Sequence, residues 1–404
     1  MRLKITRQTA IRLMLEKQAI GTLPRAVSKE EIYGVVDRLG CVQIDSINVV
    51  ERAHHVTIWT RLGCFDKELL HSLMYNDRRL FEYWAHVASV IPMKDYKWFT
   101  FLMKYCESTM ETHVEKYLKG DSAMLDTVLE RIRKEGALAS KDFEYKRERR
   151  SSGWWDWKPA KVALETLFNA GILLVSDRRN FQRVYDLAER VIPDWVDQEL
   201  PSKEECLRFL ATKTMSCLGL MAPAELRGYY NSPMRRMKMD LSQIQEFLEK
   251  LVQEGIASRV EVKGVRTHYY GLMEDVDRAK ALEEGGKFDF DGVRFFNPFD
   301  NLLWDRNRVK TLFHFSTKLE TYAPKEARKY GYYTLPILYG DQFIGRLDPK
   351  MDRRKNVLII NATWYEPWFK TDEEFEDRFS ETLDSFAKFN EADEVETKEK
   401  PRTA

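Results

Sequence analysis

The stretch KPAKVALETLFNAGILLVSDRRNFQRVY (158–185) sets the architecture. Its first half places Val162, Ala163, Leu164, Leu167 and Phe168 at helical spacing, with Pro159 in the first turn and Gly171 past the end. Its second half switches to a period of two: Ile172–Ser176 as one strand, a turn over Asp177-Arg178-Arg179-Asn180, and Phe181–Tyr185 returning. A helix followed by a hairpin with a basic turn is the sequence pattern of a winged helix-turn-helix.

The pattern recurs on both sides. Upstream, Thr6 opens a helix over 6–20, and Ser28 with Glu31 forms a capping box for a second that stops at Gly40. Cys41–Ile47 reads as a strand, 51–62 and 66–78 as helices, and 81–91 as an extended return. A further helix is expected over 122–136. Downstream, helices over 202–212, 222–230 and 241–254 precede strands 256–262 and 265–270, joined at Lys263-Gly264. After Gly286 the segments 293–296, 309–315, 331–338, 342–348 and 357–364 are β-branched and aromatic, and a helix over 372–389 closes the series. The expected fold is α+β. Three tandem winged-helix modules (1–95, 96–200, 201–286) precede an antiparallel β domain (287–390) and a disordered acidic tail (391–404).

With 404 residues the chain can bury several cores. Its net charge of +1 hides an asymmetry. From residue 370 onward 12 Asp or Glu face 6 Lys or Arg, a net of −6, which leaves +7 on residues 1–369. A basic body is compatible with a polyanionic partner. No apolar run is long enough for a transmembrane helix, and the N-terminus lacks the hydrophobic core of a signal peptide. The five scattered cysteines form no CxxC pair, which argues against disulfides or a zinc cluster and for a reducing, cytoplasmic location. HExxH and the glycine-rich phosphate motifs are absent. His54 and His55, as helix neighbours, point too far apart to chelate one metal. No cofactor or metal is expected.

The chemistry concentrates in Gln43-Ile44-Asp45. On a strand, residues i and i+2 share a face, so an amide and a carboxylate would project together. That pair can position a water and accept its proton beside a cationic transition state. A polar strand edge facing solvent fits the same tripeptide. Arg52, His54 and His55 follow at a helix start, where anions bind and where capping and packing are the plain alternative. Basic groups at Lys146-Arg147-Arg149-Arg150, Arg178-Arg179-Arg183, Arg235-Arg236-Lys238, Lys263-Arg266 and Arg353-Arg354-Lys355 are candidate phosphate contacts or solvated surface. Trp154, Trp155 and Trp157 read as core anchors.

VQIDSINVVERAHHVTIWTRLG (42–63) resembles the signature of the AlkZ/YcaQ family of winged-helix DNA glycosylases. So, in the same order, do FEYWAHVASVIP (81–92), 154–193, NPFDNLLWDRNRVKTLF (297–313) and YGYYTLPILYGDQFIGRLDPKMDRRKN (330–356). The resemblance implies a basic concave surface of three winged helices for duplex DNA. It also implies a monomeric, monofunctional enzyme that hydrolyses the N-glycosidic bond of alkylated purines and unhooks interstrand crosslinks. Gln43 and Asp45 match the catalytic motif of the Gln-x-Asp branch, and His54 and His55 match the family string. Arg178, Arg179, Arg183, Lys263, Arg266, Arg353 and Arg354 become candidate DNA contacts. A non-catalytic winged-helix regulator and a nucleoside or sugar hydrolase are the competing readings.

Overall fold

The computed structural model describes residues 3–143 and 159–404. The basic run 146–150 and Trp154, Trp155 and Trp157 lie outside the described residues.

Three small sheets, each of three strands, carry the helical part of the chain. In the first, Val42–Gln43 pairs with Ala88–Pro92, which pairs with Leu80–Trp84. The expected single return over 81–91 is therefore a hairpin. The Ser28–Glu31 capping box starts Lys29–Leu39, and Gly40 ends that helix at φ 71°, a conformation that costs a glycine little.

The second sheet contains the hairpin Leu173–Arg179/Gln182–Leu187 and the short strand Leu138–Ala139. The helix before it runs Pro159–Asn169. The turn, however, is the two residues Asn180 and Phe181, both at positive φ (50° and 67°), as a type I′ turn requires. The first strand runs on to Arg179, three residues past Ser176, with a register shift between Val175 and Asp177 on the way.

The third sheet joins the hairpin Ala257–Val262/His268–Leu272 to Leu3–Ile5 from the opposite end of the chain, paired in parallel with Ala257–Val262. Residues Ile5 to Ile20, expected in the first module, share a core with Val260, Val262 and Tyr269 and with Phe296, Leu338 and Phe343 of the C-terminal sheet.

The C-terminal sheet orders Val293–Phe295, Leu335–Tyr339, Gln342–Asp352 and Val357–Tyr365 antiparallel. Two expectations fail here. Residues 309–315 are not a strand: Arg306–Phe313 is a helix capped by Asp305, whose carboxylate accepts from Arg308 N (2.9 Å). Val309 and Leu312, one turn apart, go to the core. The tail is also ordered. Glu394–Thr397 pairs in parallel with Val357–Tyr365, and Arg402–Thr403 pairs further along the same strand. The ladder is built from backbone groups, so its polar side chains stay largely outside.

Buried ion pairs tie these parts together. Arg61 meets Asp300 through two bonds of 2.5 and 2.8 Å with both side chains wholly buried. Arg308 meets Glu225 at 2.9 Å and also donates to the Leu218 and Leu220 carbonyls. Such pairs are costly to break, because one partner alone is an uncompensated buried charge.

Candidate active site

Strand pairing stops at Gln43, which lies opposite Ser89, and one further bond runs from Ile44 N to Ala88 O (2.8 Å). The expected strand to Ile47 is cut short because the Asp45 carboxylate accepts from Ile47 N (2.8 Å). This Asx turn swings the chain out of the sheet. Gln43 and Ile44 are buried, and Asp45 is half-buried at the strand's end. The loop then runs to Arg52, where the helix Ala53–Leu62 begins.

Two distant hairpins hold this loop. From the C-terminal sheet, Met351 N donates to Val49 O (2.9 Å). Beside it, Arg353 donates to Asn48 O (3.1 Å), to Asn48 Oδ1 (2.8 Å) and to Val50 O. From the second sheet comes Phe181. Its ring meets the guanidinium carbons of Arg52 (3.6 Å to the centroid) and Arg178 (4.3 Å), and the His54 ring stacks with it at 6.3 Å. A phenylalanine at φ 67° is an uncommon conformation, held here by these contacts.

The charges around the loop are arranged in two groups. Glu82, fully buried, accepts two bonds from Arg178 (2.7 and 2.6 Å) and one from Tyr75, with Arg183 3.5 Å away. Burial pushes the Glu82 carboxyl up, but the two cations and the Tyr75 hydroxyl outweigh it and hold it below its ordinary value. Glu51 forms the second group with Lys67 (2.7 Å) and His55. His55 Nδ1 stands 3.2 Å from Glu51, close enough for an ion pair but not aligned as a hydrogen bond. Burial raises Glu51, and His55, Lys67 and the Arg52 N–H more than offset it, so the carboxyl lies well below its usual range. His54 is buried with Nδ1 unpartnered; burial, then the nearby His55 and Arg178, lower its pKa and keep the ring neutral.

The structure thus brings Gln43, Asp45, Arg52, His54, His55, Arg178 and Arg353 to one segment. It corrects the picture of Arg178 and Arg183 as solvated cations on a turn. Both are committed to Glu82, and Arg183 also packs over Phe168 (4.8 Å). Arg353 is likewise engaged in holding the loop. Arg179 is exposed and pairs with Asp142 (3.3 Å), and Arg354 is exposed at its turn. Lys263 and Arg266 belong to the third sheet, apart from this segment; Lys263 pairs with Glu283 (3.0 Å) and Arg266 is exposed. Glu51, Glu82 and Phe181 were not singled out from the sequence. Only the positions of Glu51, next to Arg52, and Phe181, next to the basic turn, hinted at them.

This geometry sits in a chain whose relatives are known. The family model of the AlkZ-like DNA glycosylases matches residues 36–389, and the chain belongs to that family. Its fold is similar to that of a solved structure, Streptomyces sahachiroi DNA glycosylase AlkZ, with a TM-score of 0.64 at 15% identity over 98% of this chain and 100% of that one. DNA is accordingly the partner and DNA repair by a glycosylase the class of activity. No helix among the described residues is long and apolar enough to cross a membrane.

Proposed function

We propose that this chain is a monofunctional DNA glycosylase. It hydrolyses the N-glycosidic bond of alkylated purines of the N7-alkylguanine type in duplex DNA, and it unhooks interstrand crosslinks built on such bases. The observation that carries the reading is the clamped Gln43-Ile44-Asp45 strand end. An amide and a carboxylate are set at the mouth of a loop that two remote hairpins fix in place.

The chemistry asks little more of the protein. A purine alkylated at N7 is already cationic, so the C1′–N9 electron pair leaves with the base without prior protonation. Asp45 stabilises the sugar cation and takes the proton of the attacking water, which Gln43 orients. The new bond joins the water oxygen to C1′, and the products are an abasic site and the free base. A crosslinked base cannot swing freely into a deep pocket, so a site at the end of a strand on an open scaffold suits it.

The three helix-and-hairpin units, divided near residues 95, 200 and 286, are read as winged helices. Together they present a duplex-binding face to which exposed Arg179, Arg354, Lys263 and Arg266 contribute phosphate contacts. The enzyme acts as a monomer, since the unlike modules of one chain provide the whole site. The test is release of base from duplex DNA carrying N7-methylguanine. Abasic sites formed by the wild-type chain and lost in Asp45→Asn, with DNA binding retained, are the expected result. Tight binding with no excision on methylated or crosslinked duplexes refutes it.

A further inference from the structure

The loop that leads into Leu335–Tyr339 exposes two aromatic rings that the fold does not use. Tyr322 is 79% exposed, more than any other large apolar or aromatic side chain among the described residues, and Tyr332 is 39% exposed. One exposed ring alone would mean little, but these two sit together among cations. The Thr321 hydroxyl donates to Tyr332 O (2.9 Å), which joins the two stretches that bear the rings. Arg328 lies over the Tyr332 ring (4.8 Å) and donates to Ala323 O (3.0 Å), next to Tyr322. Between residues 317 and 334 four cations, Lys318, Lys325, Arg328 and Lys329, face Glu320 and Glu326, a net of +2. None of the four forms an ion pair among the described residues.

The loop is also a fixed platform. The buried Glu320 carboxylate gathers the backbone N–H groups of Lys329, Tyr330 and Gly331 at 3.1, 2.8 and 3.3 Å. Its charge is thereby spent inside, so the outer face is more basic than the sum suggests. Gly331, at φ 142°, runs so close to Asp348 that a Cβ there would collide with its carboxylate. The loop therefore lies against the strand Gln342–Asp352, five residues before Arg353, which holds the Asp45 loop. Five residues of extended backbone span at most roughly 17 Å, about half a helical turn of duplex. One bound DNA can reach both places.

We infer that this loop is a DNA contact for unpaired bases: Tyr322 and Tyr332 stack on a base left without its partner, while Lys325 and Arg328 hold the neighbouring phosphates. Every base has a π-face, so stacking needs no particular sequence. An intact duplex shows its bases only edge-on in the grooves and gives the rings nothing to stack on. The cations favour a polyanion over an apolar protein surface. The inference deepens the glycosylase reading above, because removal of a base orphans the one opposite. It involves no chemical step, so the two can fail separately.

The experiment is a pair of fluorescence-anisotropy titrations of the full chain with two duplexes of one sequence. One is intact, and the other carries a tetrahydrofuran abasic analogue opposite cytosine. The wild-type chain should bind the second about fivefold or more tightly, the size expected for one stacked base. Tyr322→Ala and Tyr332→Ala should each reduce that preference and leave affinity for the intact duplex unchanged. Tyr322→Phe should keep it, because the ring does the stacking. The unfolding midpoint of Tyr322→Ala should match wild type, since so exposed a ring packs on little. Alanine variants that bind both duplexes as wild type does overturn the inference and leave the rings to a protein partner. Equal losses on both duplexes also overturn it, since they mark a contact blind to pairing. A chain that prefers the abasic duplex yet releases no base upholds the contact and removes the glycosylase reading.

Discussion

The hairpins Leu173–Arg179/Gln182–Leu187 and Ala257–Val262/His268–Leu272 follow one sequence pattern, a helix, two strands and a basic turn, yet their cations meet opposite fates. In the second sheet Arg178 and Arg183 converge on Glu82, a carboxylate from the first sheet, and the hairpin tip docks Phe181 against Arg52. In the third sheet Lys263 and Arg266 remain at the surface, and the outer edge of the hairpin is covered by Leu3–Ile5. What separates the two is a buried acid elsewhere in the chain. The first turn becomes internal scaffolding on a fully buried acid, whereas in the third sheet Lys263 meets only the half-buried Glu283 (3.0 Å) and Arg266 stays exposed, so both remain at the surface.

The largest expected effect lies in the first hairpin. Glu82→Gln leaves Arg178 and Arg183 partly buried without their counter-charge and should cost about 3–5 kcal/mol of stability, read from denaturant unfolding. By the same measurement Lys263→Gln, with half of its side chain exposed, should cost under about 1 kcal/mol. Equal losses would dissolve the contrast.

Next comes pH. Burial raises the Asp348 carboxyl to about 6 from an ordinary 3.8, against the bonds from Asn361 and the Tyr333 N–H that pull it down. A folded-state pKa above the unfolded value means that the native state binds the proton more tightly. Asp348 therefore favours folding fully below about pH 4, and that contribution is lost as pH rises through 6, a change of about 3 kcal/mol. Asp348→Asn should remove this component of the stability–pH profile, and an unchanged profile would contradict it. Arg353→Ala should cost about 1–2 kcal/mol for its bonds to Asn48 and Val50, and should slow excision by loosening the Asp45 loop. The smallest effect is on DNA. Lys263→Ala and Arg266→Ala should each flatten the dependence of log affinity on log salt by about 1, without changing single-turnover excision.

Local signals carried much of the fold. Ser28 with Glu31, Thr6, Pro159 and Gly40 mark helix ends through bonds made within a few residues, and the structure has them at those ends. Contacts across the chain were hidden. Leu3–Ile5 is three residues long and finds its partner at Val260, so no periodicity could reveal it. Glu394–Thr397 looks disordered by composition because its order comes from backbone ladder bonds to Val357–Ile360. In Arg306–Phe313 a single Asp cap overrode a stretch that reads as strand. The site divides in the same way. Gln43, Asp45, Arg52, His54 and His55 are neighbours in sequence and could be read together. Glu82, Phe181 and Met351 join this segment only through the fold, and Arg353 looks like one more surface cation until Asn48 and Val50 are seen beneath it.

The central claim is that Asp45, at the clamped end of its strand, drives removal of a cationic purine from duplex DNA. Single-turnover excision of N7-methylguanine by the wild-type chain and by Asp45→Asn, each at saturating protein, tests it most directly. The account predicts abasic sites from the wild type and a loss of at least about a hundredfold in the variant, with duplex affinity unchanged. Equal rates in the two proteins would contradict it.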